Sequence, residues 1–383
     1  MKKALISLSI LIGVPVFAFG CFLLLSTLRD YNPKPVLFVP IEGEGTDMDS
    51  TKSDFSFLIW NIGYAGLGAE SDFFFDGGTS VRQSETVTQK NLDGIVSFLK
   101  KEQTRTDFIL LQEVDFNSKR SWYTDQSKVL TAALSPCISS LAYNYVTDFV
   151  PQPLTNPYGK CSAGLMSFTH LKPGAARRIA LTPDATWPVG LFMLDRCLLE
   201  WRFKLRNSKE LIVYNLHLSA YDDGTVKQNQ MDSLKKRVLK EYEAGNYVVV
   251  GGDWNQNPPG YISPNPGVKA TVQMSIPEDY PAKGWKWAFG SDIPTNRKLN
   301  EPYKEGTTGI DVIDFYLISP NLQVLSHENI NLGFAYSDHQ PVYMKIRIPE
   351  LYVKPANAVD SIPADSARIS ARHDAAVPKG SAH

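Results

Sequence analysis

Cysteine is scarce in this sequence, and what is missing around it narrows the chemistry. The four cysteines form no Cys-x-x-Cys pair and no cluster with the six histidines, which removes the usual structural zinc sites. There is no Gly-rich phosphate loop, no Gly-x-Ser-x-Gly nucleophile elbow and no reactive-cysteine signature. Charge of one sign is lacking too, since 39 Lys and Arg face 40 Asp and Glu for a net charge of −1. A tight, sequence-independent nucleic-acid binder is therefore not signalled, although a nuclease needs only a local site.

Long hydrophobic runs are confined to the N-terminus. "MKKALISLSILIGVPVFAFGCFLLLSTLRD" carries an apolar run from Ala4 to about Leu28. It exceeds the roughly 20 residues needed to cross a bilayer, whereas the apolar part of a secretory signal is about 7–15 residues. Residues 1–29 are expected to be an uncleaved transmembrane helix. A cleaved signal is the alternative, with Ala18-Phe19-Gly20 as the small-residue site and secretion as its consequence. Lys2 and Lys3 favour a cytoplasmic N-terminus and an extracytoplasmic bulk. With Cys21 in the anchor, Cys137, Cys161 and Cys197 remain. Cys137 and Cys161 could pair across a loop in an oxidising space, with buried free thiols as the other reading.

Residues 30–53 read as a linker rich in Pro, Gly and acidic side chains. Residues 350–383 are rich in Ala, Ser and Pro and are expected to be disordered, because they hold too few large apolar residues to offset chain entropy. Residues 54–349 lie between them as one domain. There, short apolar runs end in a polar residue: "FSFLIWN", "DFILLQE", "ELIVYNLH", "YVVVGGDWN" and "VIDFYLIS". Such runs read as strands buried on both faces. "SETVTQKNLDGIVSFLKK" and "TVKQNQMDSLKKRVLKEYEAG" each place apolar residues on one helical face. Alternating strands and helices give an α/β fold.

Chemistry-bearing residues fall where these strands end: Asn61, Glu113, His217, Asp253 with Asn255, and Asp338 with His339. In α/β folds strand ends share a rim. Carboxylates and carboxamides are hard oxygen ligands for Mg²⁺ or Mn²⁺. Histidine moves protons or hydrogen-bonds a developing oxyanion. With no nucleophile in evidence, the set points to direct attack of water on phosphorus.

In order and spacing these motifs resemble the endonuclease/exonuclease/phosphatase superfamily, which has the deoxyribonuclease-I-like fold. "FLIWNIGYAG" supplies Asn61, "FILLQEVD" Glu113, "NLHLSAYD" His217, "VVVGGDWNQNP" Asp253 and Asn255, "VIDFYLIS" Asp314, and "SDHQPV" Asp338 and His339. The resemblance spans about Asp54 to Arg347. "GIDV" with Asp311 competes with Asp314, but the aromatic and strand that follow Asp314 fit better. "LDRCLLEW" adds Arg196 as a phosphate-side candidate.

The resemblance implies two packed mixed β-sheets flanked by helices, a four-layer α-β-β-α sandwich, beyond the N-terminal transmembrane helix. It implies a metal held by Glu113 with Asn61 and Asp338 close by. Asp253 would orient or deprotonate water, and Asn255 would position water or phosphate. His339, oriented by Asp314, and His217 would contact the phosphate. A monomer acting on a phosphate ester is expected, the substrate being nucleic acid or phospholipid. The rival class, a catalytically dead binding module, would tolerate loss of Glu113, Asp253 or His339, and all three are present.

Overall fold

Alternation of side chains decides the architecture. Along the strand Asp54–Asn61, Phe55, Phe57 and Ile59 enter one buried cluster, while Leu58 and Trp60 enter another on the opposite face. The strand Phe108–Asp115 repeats this, with Phe108 and Leu110 on the first face and Ile109 and Leu111 on the second. Burial of both faces is why these strands read as unbroken apolar runs.

The computed structural model describes residues 2–49, 51–220, 224–263 and 274–352. It contains two mixed sheets. One has seven strands in the order Val36–Phe38, Ala175–Ala180, Cys197–Lys204, Glu210–His217, Tyr247–Asp253, Asp314–Ile318 and Lys286–Ala288. The other has six in the order Gln323–Asn329, Val342–Arg347, Asp54–Asn61, Phe108–Asp115, Gly159–Thr169 and Ile138–Val150. They pack face to face. Phe108 stacks on Phe57 at 4.8 Å and meets Phe203 of the other sheet edge-on at 5.1 Å. Truncating such a buried ring to Ala costs about 3–5 kcal/mol.

Helices cover the outer faces. Glu85–Glu102 and Gln126–Ala133 bury Leu92, Ile95, Leu99 and Leu130 against the six-stranded sheet. Thr225–Glu243 buries Met231, Leu234 and Val238 against the seven-stranded one. Ser84 caps the first helix by accepting a hydrogen bond from the Val87 N–H. The expected four layers are all present.

Strand direction then positions the chemistry. Asp54–Asn61 runs parallel to Phe108–Asp115, and Glu210–His217 parallel to Tyr247–Asp253, so C-terminal ends lie side by side. Asp314–Ile318 and Val342–Arg347 run antiparallel to these neighbours and bring their N-terminal ends to the same edge. Asn61 Nδ2 donates to Asp253 Oδ2 at 3.0 Å and ties the two sheets together there.

The helix Lys2–Leu28 contains a stretch, Ser9–Leu28, long and apolar enough to cross a membrane. Its C-terminal end rests on the domain. Phe22 stacks on Phe192 at 5.6 Å, and Trp187 Nε1 donates to Thr27 Oγ1 at 3.0 Å. Arg29 pairs with Asp148 at 3.3 Å.

The segment 30–53, expected as a linker, is partly taken into the domain. Val36–Phe38 pairs antiparallel with Ala175–Ala180, and bridges join Glu42 to Ser139 and Thr46 to Leu171. The cause is an otherwise open edge of the seven-stranded sheet, whose backbone groups the passing chain satisfies. The tail expected to be disordered lies outside the described residues from 353 onward. Cys137, Cys161 and Cys197 are all free thiols, so the loop-closing disulfide is not formed. Burial pushes the Cys161 thiol up to about 12 and that of Cys197 up to about 11, leaving both unreactive at neutral pH.

Candidate active site

His339 sits in the turn before the strand Val342–Arg347, and its ring is held on several sides. Nδ1 lies 2.8 Å from Asp314 Oδ2, and Nε2 lies 3.0 Å from the Asn296 amide. The backbone is fixed as well. His339 N–H donates to Ser337 Oγ at 3.1 Å, Ser337 Oγ donates to the Asn61 carbonyl at 2.8 Å, and Trp60 Nε1 donates to the His339 carbonyl at 3.0 Å. The serine of Ser-Asp-His thus pins the turn to the Asn61 strand. Burial alone would push the ring down, but the Asp314, Asp253 and Asp338 carboxylates outweigh it and raise His339 well above the ordinary imidazole range. Burial lifts Asp314 to about 6 against the pull of that ring.

Asp253 occupies the centre. Its Oδ2 lies 3.4 Å from His217 Nε2 and 3.7 Å from His339 Nε2, and it accepts from Asn61 Nδ2. Its Oδ1 accepts the Asn255 N–H at 2.9 Å. Against burial, the two rings and these donors hold Asp253 below the usual carboxylate range, so it is ionised at neutral pH. The Gly-Asp motif has a steric cause. Gly252 has φ +145, and a Cβ there would come 2.0 Å from the Leu216 carbonyl oxygen of the adjacent strand.

His217 behaves oppositely to His339. Burial and the Arg196 guanidinium push it down to about 4, so it is neutral at pH 7, and its buried Nδ1 has no hydrogen-bond partner among the described residues. Asn255 has φ +50 and donates from Nδ2 to the Leu218 carbonyl at 2.9 Å, bracing the segment after His217. Arg196 is buried, pairs with Asp184 at 3.0 Å and lines the cavity over the site, its Nη1 having no hydrogen-bond partner among the described residues.

Glu113 stands at a β-bulge. The register slips between Leu111 and Val114, and Glu113 takes φ +54. The bulge turns its carboxylate out of the sheet to the cavity, where Oε1 accepts from Asn61 Nδ2 at 3.1 Å. Burial and the facing Glu113 push Asp338 up to about 7, against His339 and Arg297. Room for that carboxylate comes from Gly63, where a Cβ would lie 2.8 Å from Asp338 Oδ1. Asp338 is buried, whereas Glu113 is half-buried with Arg120 Nη1 3.8 Å from its Oε2; the two facing carboxylates are hard oxygen donors of the kind that suit a divalent cation. Asn61 donates its amide N–H groups to Glu113 and Asp253, while its Oδ1 accepts the Gly63 N–H at 3.0 Å, so it braces those two carboxylates rather than presenting oxygen. Asp253, Asp314 and His339 also bring ligand atoms within 4.8 Å of one another. A proton already joins Asp314 to His339 in that trio, which makes it a hydrogen-bonded relay and the poorer cation site.

All nine sequence candidates therefore meet at one edge. Asp311, the competing partner, instead accepts from Asn257 Nδ2 and the Val312 N–H. Trp285 and Trp287 belong to the core under Trp254 and Phe315. Sequence reasoning missed Asn296, which lies in a two-residue strand with no apolar periodicity. It also missed Arg120, which pairs with Asp115 at 2.8 Å and lies over the Tyr64 ring at 3.9 Å. Thr295 Oγ1 accepts the Asp314 N–H at 3.0 Å, and Arg297 Nη2 donates to the carbonyls of Leu67, Gly68 and Ser71.

Fold and site together define a hydrolase of phosphate ester bonds. The sequence matches the Endonuclease/Exonuclease/phosphatase family over residues 60–339, and the chain belongs to that family. An endonuclease/exonuclease/phosphatase from Beutenbergia cavernae DSM 12333 has a similar structure, with TM-score 0.53 and 17% identity, covering 78% of this chain and 72% of that one. D. rerio TDP2 complexed with single strand DNA product gives TM-score 0.47 at 14% identity over 77% of this chain and 100% of its own. The human Nocturnin catalytic domain with bound sulfate anion gives 0.45 at 16% over 80% and 97%. The first of these is a likeness of fold. No curated protein sequence matches the chain.

Proposed function

We propose that this chain is a membrane-anchored, divalent-metal-dependent phosphoesterase that cleaves its substrate by direct attack of water on phosphorus. The observation that carries the reading is the Asp253 carboxylate, ionised and shared by two imidazoles in opposite protonation states. Pairs of groups driven apart in this way divide acid and base roles.

Asp253 orients the water and takes its proton. His339, protonated and fixed by Asp314, donates to a phosphoryl oxygen as charge develops. His217 stays neutral and adds a second ring contact, and Arg196 supplies a fixed positive charge. Asn255 holds the loop that positions water or phosphate. A bound Mg²⁺ or Mn²⁺, held by Glu113 and Asp338 and braced by Asn61, would polarise the phosphoryl oxygen. The water oxygen bonds to phosphorus and the P–O bond to the leaving alcohol breaks. That alcohol oxygen ends with the proton that Asp253 removed. The apolar stretch Ser9–Leu28 supports anchoring, with Lys2 and Lys3 cytoplasmic and the domain outside.

Hydrolysis of bis(p-nitrophenyl) phosphate in H₂¹⁸O, with Mg²⁺ and with EDTA, tests this. Label should enter the phosphate and not the phenol, and EDTA should abolish turnover. Label in the phenol, or EDTA-insensitive turnover, would contradict it.

A further inference from the structure

The active-site cavity is larger than a phosphate needs, about 1170 Å³, and two chemistries line it. One group is His217, Asp253 and His339. The other is Phe149, Leu154, Val189 and Phe192, of which Phe149 and Phe192 touch Phe22 of the N-terminal helix. The apolar group is open: Leu154 is 88% exposed and Val189 57%, and Trp187 beside them is 63% exposed. Apolar surface left in water costs about 25 cal/mol per Å², and a contiguous patch of it marks a docking site.

The N-terminal helix says what covers that patch. Phe19, Phe22 and Leu23 form part of the same cavity wall, and Phe22 packs against both Phe149 and Phe192. The anchor is thus a side of the substrate cleft. Phe22 stands roughly 9 Å and Phe19 roughly 13 Å along the helix from its end at Leu28, at about 1.5 Å per residue. With Ser9–Leu28 filling a hydrocarbon layer about 30 Å thick, these residues lie inside the outer half of the bilayer. The loops that touch them must enter the same layer. The apolar group of the cleft then opens among acyl chains, and the catalytic group faces the headgroups.

From this geometry we infer that the cleft takes a membrane phospholipid drawn sideways from the leaflet. Its acyl chains lie against Phe19, Phe22, Leu154 and Val189, and its phosphodiester reaches His339 and Asp253. The inference rests on the phosphoesterase reading and adds the substrate to it. Water bonds to phosphorus, one P–O bond of the lipid phosphodiester breaks, and the departing alcohol takes the proton. A nucleic-acid strand fits less well. Arg196, Arg297 and Lys298 do line the cleft and suit a phosphate, but the wall of Phe19, Phe22, Phe149 and Phe192 is apolar and is shared with the membrane anchor, where a polyanion is not solvated.

The test uses the full chain reconstituted in vesicles of phosphatidylcholine, phosphatidylglycerol and sphingomyelin with Mg²⁺. Single-stranded DNA and bis(p-nitrophenyl) phosphate are run in parallel. Vesicle lipid should be cleaved, and the exposed double substitution Leu154→Glu with Val189→Glu should lower lipid turnover at least 10-fold more than turnover of the soluble diester. Brominated acyl chains should quench the emission that Trp187→Phe removes. Turnover of DNA or soluble diester with no bilayer lipid cleaved overturns this inference alone, as does an equal loss on both substrates or an unquenched Trp187. A wild type inert towards every ester overturns the phosphoesterase reading with it.

Discussion

Asp314 Oδ2 and His339 Nδ1 lie 2.8 Å apart, although the two residues are 25 positions apart in sequence, one opening a strand of the seven-stranded sheet and the other in the turn that leads into a strand of the six-stranded sheet. His339's immediate neighbour does not make this contact, since Asp338 Oδ2 is 3.8 Å away on the Nε2 side of the ring. A carboxylate on Nδ1 fixes both the tautomer and the direction of Nε2. Asp314→Asn should therefore leave the fold intact and lower kcat by at least about 100-fold. Turnover and circular dichroism measured on one preparation check this, and unchanged turnover in a folded variant would remove Asp314 from its role.

Asn61 lies between two acids, with Nδ2 donating to Glu113 at 3.1 Å and to Asp253 at 3.0 Å. Without it both carboxylates lose their brace, and Glu113 would no longer be held in place for the proposed cation. Groups that orient ligands typically cost about 10–100-fold in metal affinity when removed. Asn61→Ala should raise the Mg²⁺ concentration for half-maximal activity by that factor, read from a magnesium titration of the initial rate.

The parts of the site legible in sequence were those where burial leaves a signature. Asn61, Glu113, His217 and Asp253 each end a run buried on both faces, so polarity at that point stood out. Asp314 opens a strand and His339 lies in the turn before one, so neither ends an apolar run, and the family resemblance is what pairs them. Asn296 sits in a strand of two residues, too short for periodicity to show. Val36–Phe38 was hidden for a related reason. All three of its residues are exposed, so it carries no alternation, and it is held by backbone bonds alone to a neighbouring edge.

Gly252 carries a purely steric requirement. Its φ of +145 and the 2.0 Å approach of a Cβ to the Leu216 carbonyl leave no room for a side chain in the Asp253 strand. Gly252→Ala should cost more than about 3 kcal/mol, because the blocking atom is sheet backbone. Chemical denaturation of the soluble domain reads it.

Acid stability should depend on Asp107, away from the site. Burial pushes this carboxyl up, but hydrogen bonds from His170, Lys52 and the Ser56 N–H outweigh it and hold it at about 2. Its folded value lies below its unfolded one, so the stabilisation is complete above about pH 4 and fades as pH falls towards 2, a contribution of about 2 kcal/mol. Asp107→Asn should lower the melting temperature at pH 7 and lose most of that deficit near pH 2.5. A deficit equal at both pH values would contradict the ion-pair explanation.

The proposed chemistry meets at His339, and one comparison tests it most directly: steady-state hydrolysis of bis(p-nitrophenyl) phosphate by wild type and by folded His339→Ala at saturating Mg²⁺. The expected result is a fall in kcat on the order of 10²–10³-fold. Near-normal turnover in the folded variant would contradict the assignment of this imidazole to the phosphate.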